Sequence, residues 1–364
     1  MEAFDPGDLL QNRAMPSSLL SLTRSIALAP LWVVQIGTKA KSFRDNPVLG
    51  SALLNAWGLH VARRRLADAM GRQRRLRLAQ DVTSEERACF DELGYFLRHD
   101  ALQSAHFTAL CREIRENRLP AREMRQGGTV TRRIGLDAAW LARMPATGQF
   151  VRDRAVRALI HYAASYGGQP TFAVQTILAN PSDGEADPQT VLHSDTFHPT
   201  AKAWLFLDDV GEDDGAFAYV PGSHRLTPQR LAWEREQSLS AARSSDRMHS
   251  EGSFRATASD LAALGLPAPA KMAVPANTLI VADTCGFHRR SPSPRPTRRV
   301  ELYATLRRSP FLPVTGGHLA ALPPFAGHFA QLEATLQQGL ERLGLPPSPW
   351  RPVGPAGAYE PARI

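Results

Sequence analysis

The chain has 364 residues, 43% hydrophobic and 21% charged, with a formal net charge of +8. That is ample apolar material for a core and more length than one typical domain needs. Three cysteines, Cys89, Cys111 and Cys285, cannot all pair, and the start lacks the basic, apolar and small-residue order of a secretion signal; a disulfide scaffold is excluded and a reducing cytoplasm is the expected location.

The charge is uneven along the chain. Residues 1–80 hold twelve Arg or Lys against five Asp or Glu, so +7 of the +8 belongs to them. Within them, Leu19 to Ile36 is largely apolar but broken by Arg24 and Pro30, and falls short of the about 20 apolar residues a spanning helix needs. Leu59, Ala62, Leu66, Ala69, Met70, Gln73 and Leu76 then recur at helical spacing, with most of the arginines off that stripe. Two arrangements suit this pattern: a basic helical extension lying on an anionic membrane surface, or helices packed on the next domain with a solvated basic face. Nucleic acid ranks below the membrane as a partner, because aromatics to stack on bases are nearly absent there, with Trp32, Phe43 and Trp57 among the few.

Thr83 and Glu86 stand at capping-box spacing and open a domain expected over residues 81–310. Helices around Ala105 to Asn117 and Val151 to Tyr166 are expected to buttress it. Phe172 to Leu178 reads as a strand carrying Gln175. If Gln189 to Thr196 is also extended, residues i and i+2 share a side, so the His193 imidazole and the Asp195 carboxylate converge while Ser194 points away. Two imidazoles and one carboxylate are the ligand set of non-haem Fe(II). The candidate third ligand is His288, far along the chain, which an antiparallel barrel or jelly roll brings alongside. His198, five positions from His193, faces the other way and is left out.

Lys202 to Val210 and Ala216 to Val220 read as the two strands of a hairpin, joined by the turn Gly211 to Gly215 and closed by Pro221-Gly222-Ser223-His224. Lys202 and Trp204 share a face and are candidates to line a pocket, with a core role favoured for Trp204. Residues 232–270 are a long polar insertion, expected to act as a lid. Thr278 to Asp283 is a further strand leading through Cys285-Gly286-Phe287 to His288; Asp283 either orients a ligand or caps the strand end. Arg299 to Leu306 is the strand after it. Residues 311–364 are rich in Pro and Gly, with one helix near Phe329 to Leu343. There is no internal repeat, and no feature specifies an oligomeric state.

The order H-x-D, then G-x-F-x-x-V-P-G-S-H, then His followed by Arg resembles the phytanoyl-CoA dioxygenase family of Fe(II)- and 2-oxoglutarate-dependent oxygenases, over about Phe90 to Leu306. The resemblance implies an α+β fold: a double-stranded β-helix, or jelly-roll barrel, buttressed by helices. It implies His193, Asp195 and His288 as ligands of Fe(II), with 2-oxoglutarate and O2 as cosubstrates. The family interval of eleven positions selects Arg299 for the distal carboxylate of 2-oxoglutarate, with Arg298 next in register; a planar guanidinium meets a carboxylate with two parallel hydrogen bonds. Gln175 resembles a family glutamine near the cosubstrate, and a solvent-facing strand glutamine fits its spacing equally well. His224 takes a turn-stabilising role. Related halogenating enzymes carry a small residue in place of the carboxylate, so Asp195 implies hydroxylation of an aliphatic C–H bond. The basic extension points to a lipid or lipid-linked substrate, a small metabolite or natural product being the alternative. A non-catalytic jelly-roll binding protein is the alternative of another class, and a zinc hydrolase would have no use for the arginine.

Overall fold

Strand alternation builds this molecule from two sheets. The computed structural model describes residues 28–315 and 348–364. The helix expected at Phe329 to Leu343 and the start of the Leu19 to Ile36 stretch lie outside the described residues. The strands are β1 (Tyr95–Arg98), β2 (Leu119–Gln126), β3 (Thr129–Gly135), β4 (Thr171–Ala179), β5 (Ala201–Phe206), β6 (Phe217–Tyr219), β7 (Ala270–Lys271), β8 (Leu279–Asp283), β9 (His288–Arg290), β10 (Thr297–Leu306) and β11 (Arg351–Ala356). Eight form one antiparallel sheet in the order β1-β8-β5-β10-β4-β3-β2-β11, and β7-β6-β9 form a second.

The two faces of the large sheet bury different things. Val300, Leu302 and Ala304 of β10, with Ala203 and Leu205 of β5, join Leu159 and Ile160 of the helix Arg154–Ala164 in the main core. The alternate residues Trp204, Phe206 and Tyr303 meet Phe217 and Tyr219 of the small sheet and Ile280 of β8 in a second core between the sheets. Fully burying each such large side chain contributes roughly 1.5–3 kcal/mol. The helices therefore cover one face while the small sheet covers the other, which is the jelly-roll arrangement expected.

Three local expectations are corrected. The segments Lys202 to Val210 and Ala216 to Val220 do not pair as a hairpin: β5 lies in the large sheet and β6 in the small one, so the connection crosses between layers. Gln189 to Thr196 is not a continuous strand. It starts as the turn Pro188–Thr190, and His193 makes isolated bridges to Arg255 and His288. The helix expected at Val151 to Tyr166 is two helices, Pro145–Arg152 and Arg154–Ala164, the second started by the Asp153 side chain accepting from the Val156 amide. The capping box at Thr83 and Glu86 forms as the sequence specifies. The Pro- and Gly-rich C-terminal segment adds the edge strand β11, where Pro352 and Pro355 lack a donor and the register shifts between Pro352 and Gly354.

The helix Leu59–Leu78 reverses the expected orientation. Its buried face is His60, Arg63, Arg64, Ala67, Gly71, Arg74 and Leu78, whereas Leu66 and Leu76 are 52% and 76% exposed. Each buried guanidinium is satisfied by fixed acceptors. Arg63 donates to the carbonyls of Ile36, Thr38 and Ala40, and Arg74 to those of Ser165, Pro310 and Leu312. Arg75 donates to Tyr162 and Ala163 carbonyls and to Asp283. Small residues at Ala67 and Gly71 let the helix approach, since a Cβ at Gly71 would sit 3.2 Å from Pro199 Cγ.

Candidate metal centre

His193, Asp195 and His288 come together, their ligand atoms all within 4.8 Å of one another. The bridge between His193 and His288, with each backbone amide donating to the other's carbonyl, sets the two rings 4.5 Å apart. The Asp195 amide donates to the Thr284 carbonyl, which fixes its carboxylate against them; Oδ1 lies 3.9 Å from His193 Nε2 and Oδ2 3.7 Å from His288 Nε2. Both Nδ1 atoms face carbonyls, His193 that of Val191 at 2.8 Å and His288 that of Gly286 at 3.0 Å. An Nδ1–H donated there leaves each Nε2 lone pair aimed at the shared point. His288 Nε2 is buried with no hydrogen-bond partner, the atom a metal ion would satisfy. The donor set and its vacant buried nitrogen fit Fe(II).

Electrostatics keep these ligands in the metal-binding form. Burial holds both imidazoles below their usual range, His288 at about 4. Burial alone raises the Asp195 carboxyl, but Lys202 and the two histidines outweigh it and hold it well below the carboxylate range. No proton then has to leave a ligand at neutral pH. Metal affinity is expected to be level across neutral pH and to fall as pH approaches about 4, where His288 takes up a proton. Competition against a fluorescent chelator at several pH values checks this.

The turn before His288 is held from outside. Ser223 Oγ accepts from the Phe287 amide at 2.7 Å, Tyr219 donates to the Asp283 carbonyl, and a Cβ at Gly286 would fall 2.0 Å from Tyr219 Oη. Glycine is required there by that close approach. The Pro-Gly-Ser-His turn thus positions His288 through Ser223, while the buried His224 ring packs on Phe90. Asp283 accepts from the Thr200 and Cys285 amides and from Arg75, which ties the ligand-bearing segment to the N-terminal helix. His198 is buried beside this segment, its Nδ1 on the Pro199 carbonyl, apart from the metal group.

Arg299 projects between the sheets, 7% exposed and 5.8 Å from the Phe206 ring centroid. Its guanidinium donates to Glu301 Oε2 at 2.8 Å and to the Gly215 carbonyl. Gln175 lies opposite Glu301 in register and donates to its Oε1 at 2.6 Å while accepting from Arg133 at 3.0 Å. Gln175 is therefore inside the barrel, holding Glu301, which in turn holds Arg299. Arg298 points to the opposite face, onto the Tyr359 ring and carbonyl, as alternation along β10 requires. Of the two, Arg299 is the one that faces the interior. Lys202 and Trp204 face inward as expected: Lys202 Nζ pairs with Asp195 Oδ2 at 2.6 Å, and Trp204 is buried against Phe217.

Two site residues were not found in the sequence. Lys41 Nζ donates to the Asp195 carbonyl at 2.7 Å, placing a residue of the basic N-terminal segment at the metal group. Burial and the cations Arg307 and Lys202 hold Lys41 down at about 8. Arg307, one position past β10, is the second, and its charge is felt by Asp195 and Lys41 alike. Neither belongs to a motif; each reaches the site only because the chain returns there.

Residues 90–260 match the family model described as phytanoyl-CoA dioxygenase. That span contains His193 and Asp195, with His288 and Arg299 beyond it. No curated protein matches the chain. Among solved structures, the chain is similar to the epimerase SnoN in complex with Fe3+, alpha-ketoglutarate and nogalamycin RO, at 18% identity over 61% of this chain and 81% of that one, TM-score 0.40. It is also similar to the alpha-ketoglutarate-dependent carbocyclase SnoK from nogalamycin biosynthesis, at 16% identity over 64% and 85%, TM-score 0.40. A third is HygX from Streptomyces hygroscopicus with nickel and 2-oxoglutarate bound, at 17% identity over 68% and 94%, TM-score 0.37.

Proposed function

From its phytanoyl-CoA dioxygenase domain over residues 90–260, which makes the chain an oxygenase-type enzyme of the iron and 2-oxoglutarate class, we propose that it hydroxylates an aliphatic C–H bond of a lipid or lipid-linked substrate. The observation that carries the chemistry is the meeting of His193, Asp195 and His288 in one barrel with the inward Arg299. Bound iron with 2-oxoglutarate and O2 would supply the oxidising power. The chain's residues do the rest. The two histidines and Asp195 hold the ion, Arg299 pairs with the distal carboxylate of the cosubstrate, and Gln175 and Glu301 fix the angle of its guanidinium. Trp204, Phe206, Phe217 and Tyr303 exclude water from the interior.

An anaerobic titration with Fe(II) and then 2-oxoglutarate, followed by the visible charge-transfer band of a chelated 2-oxo acid, tests this. Arg299→Gln should raise the 2-oxoglutarate half-saturation about 100-fold, as expected when one partner of a buried charge pair is lost. A folded, metal-loaded protein with no band would instead favour a binding protein.

The lipid surface is supported by what the N-terminal helices leave outside. Leu53, Trp57, Leu66 and Leu76 are each more than half exposed, as are Leu31, Val33 and Val34, and Arg65, Arg72 and Arg77 stand among them. Apolar side chains flanked by arginines suit the headgroup boundary of an anionic bilayer. Among the described residues, no helix is long and apolar enough to cross one. Leu66→Glu with Leu76→Glu should weaken sedimentation with phosphatidylserine vesicles about tenfold or more, without affecting the iron band. Equal sedimentation of the variant, or none by the native protein, would leave a soluble metabolite as the substrate.

A further inference from the structure

We propose that Lys41, Lys202 and Arg307 form an oxyanion anchor at the mouth of the metal centre, taking a phosphate or carboxylate group of the substrate. The proposal rests on the hydroxylase reading and specifies its substrate class. Two lysines meet at Asp195, one on its carboxylate and one on its backbone carbonyl, with the Arg307 charge nearby. Lys202 Nζ touches Asp195 Oδ2 and Lys41 Nζ touches the Asp195 carbonyl, at 2.6 and 2.7 Å. The Arg307 charge reaches both Asp195 and Lys41, and its guanidinium has no hydrogen-bond or ion-pair partner among the described residues. Asp195 balances one positive charge at most, and a bound metal would claim that charge.

Position separates this cluster from the cosubstrate end. On β10 the inward residues are Arg299, Glu301, Tyr303 and Thr305, and Arg307 follows one position past the end of the strand. Lys202 lies directly across from Thr305, six residues and roughly 20 Å of strand from Arg299. Arg299 is closed in, whereas Lys202 and Asp195 keep 25% and 23% of their side chains exposed and Arg307 is open to solvent. The basic cluster thus lies at the far end of the strand from Arg299, where the side chains are more open to solvent. Lys41 enters beside residue 252, where the Phe43 and Arg44 amides donate to the Ser250 carbonyl, so the expected lid and the N-terminal segment build this rim together. A purely structural counter-ion for Asp195 would need Lys202 alone; Lys41 and Arg307 exceed that need.

The test uses the full chain with Mn(II) and 2-oxoglutarate, measuring paramagnetic relaxation of 31P in inorganic phosphate and, separately, of 13C in butyrate. Saturable enhancement by either anion is expected, and whichever saturates lower identifies the group. Arg307→Gln and Lys41→Met should each raise that half-saturation about tenfold, while Arg307→Lys, which keeps the charge, stays within about threefold. The iron and 2-oxoglutarate band should be unchanged in the two Arg307 variants, which separates the anchor from the cosubstrate site and reports folding. Phosphatidic acid vesicles distinguish a lipid headgroup from a free phosphate if they displace the 31P probe. Unsaturable relaxation for both anions, or variants that saturate with the native protein, would overturn the anchor. Loss of the band in the native protein would overturn the hydroxylase reading instead, whatever the anions do.

Discussion

Asp195→Ala is expected to abolish turnover and to weaken metal binding by roughly 100-fold. Binding energies of about 10–16 kcal/mol for four-ligand structural metal sites correspond to about 3 kcal/mol per ligand. Two histidines from the His193–His288 bridge would remain in place, so residual metal binding is expected. The oxidative step should not survive, because the carboxylate that completes the facial set is gone. The variant also frees Lys202 from its ion pair and leaves Lys41 its backbone acceptor, so the fold should persist. Chelator competition and 2-oxoglutarate consumption measure the two effects, and native turnover in Asp195→Ala would remove it from the ligand set.

The second large effect lies away from the metal. Glu234, on the helix Pro228–Ser240, accepts from Arg230 at 2.9 Å, Arg64 at 3.3 Å and His60 at 2.9 Å, and all four side chains are buried. Glu234→Ala should cost about 3–5 kcal/mol, because two guanidinium groups are left buried without their counter-charge. That is a large part of the about 5–15 kcal/mol that stabilises a typical fold. Burial alone would raise the Glu234 carboxyl, but Arg64 and Arg230 outweigh it and hold it well below the carboxylate range. A depressed folded value means that its stabilisation is complete above the unfolded value of about 4.3 and is lost as pH falls beneath it. Urea midpoints of native and variant protein should therefore differ most at neutral pH and converge in acid. A constant difference across that range would assign the loss to packing rather than charge.

The meeting of His193, Asp195 and His288 and the inward direction of Arg299 were legible because each rests on short-range geometry or spacing. The i, i+2 spacing of His193 and Asp195 survives even though their segment is a bridge and not a strand, and alternation along β10 separates Arg299 from Arg298. Layer assignment was less legible: nothing local in Lys202 to Val220 says that the chain changes sheets between β5 and β6. The helix Leu59–Leu78 misled for a different reason. Hydrophobic periodicity assumes that arginines stay in water, but a guanidinium can be buried when carbonyls and a carboxylate meet its donors, and those acceptors lie in distant parts of the chain. Lys41 and Arg307 share that character, since each acquires its role from residues more than a hundred positions away.

The arginine face of that helix also orders events in time. His60 waits for Glu234, 174 positions later, and Arg74 for the Pro310 carbonyl, 236 positions later. At a synthesis rate of about 5–20 residues per second, the helix leaves the ribosome roughly ten to fifty seconds before its last acceptors exist. Until their acceptors are made, the Arg64, Arg74 and Arg75 guanidinium groups are paired only with water. Closure of such long-range contacts is slow and comes late in folding, so a helix made early is among the last to settle, and Lys41 takes its place beside Asp195 only when it does.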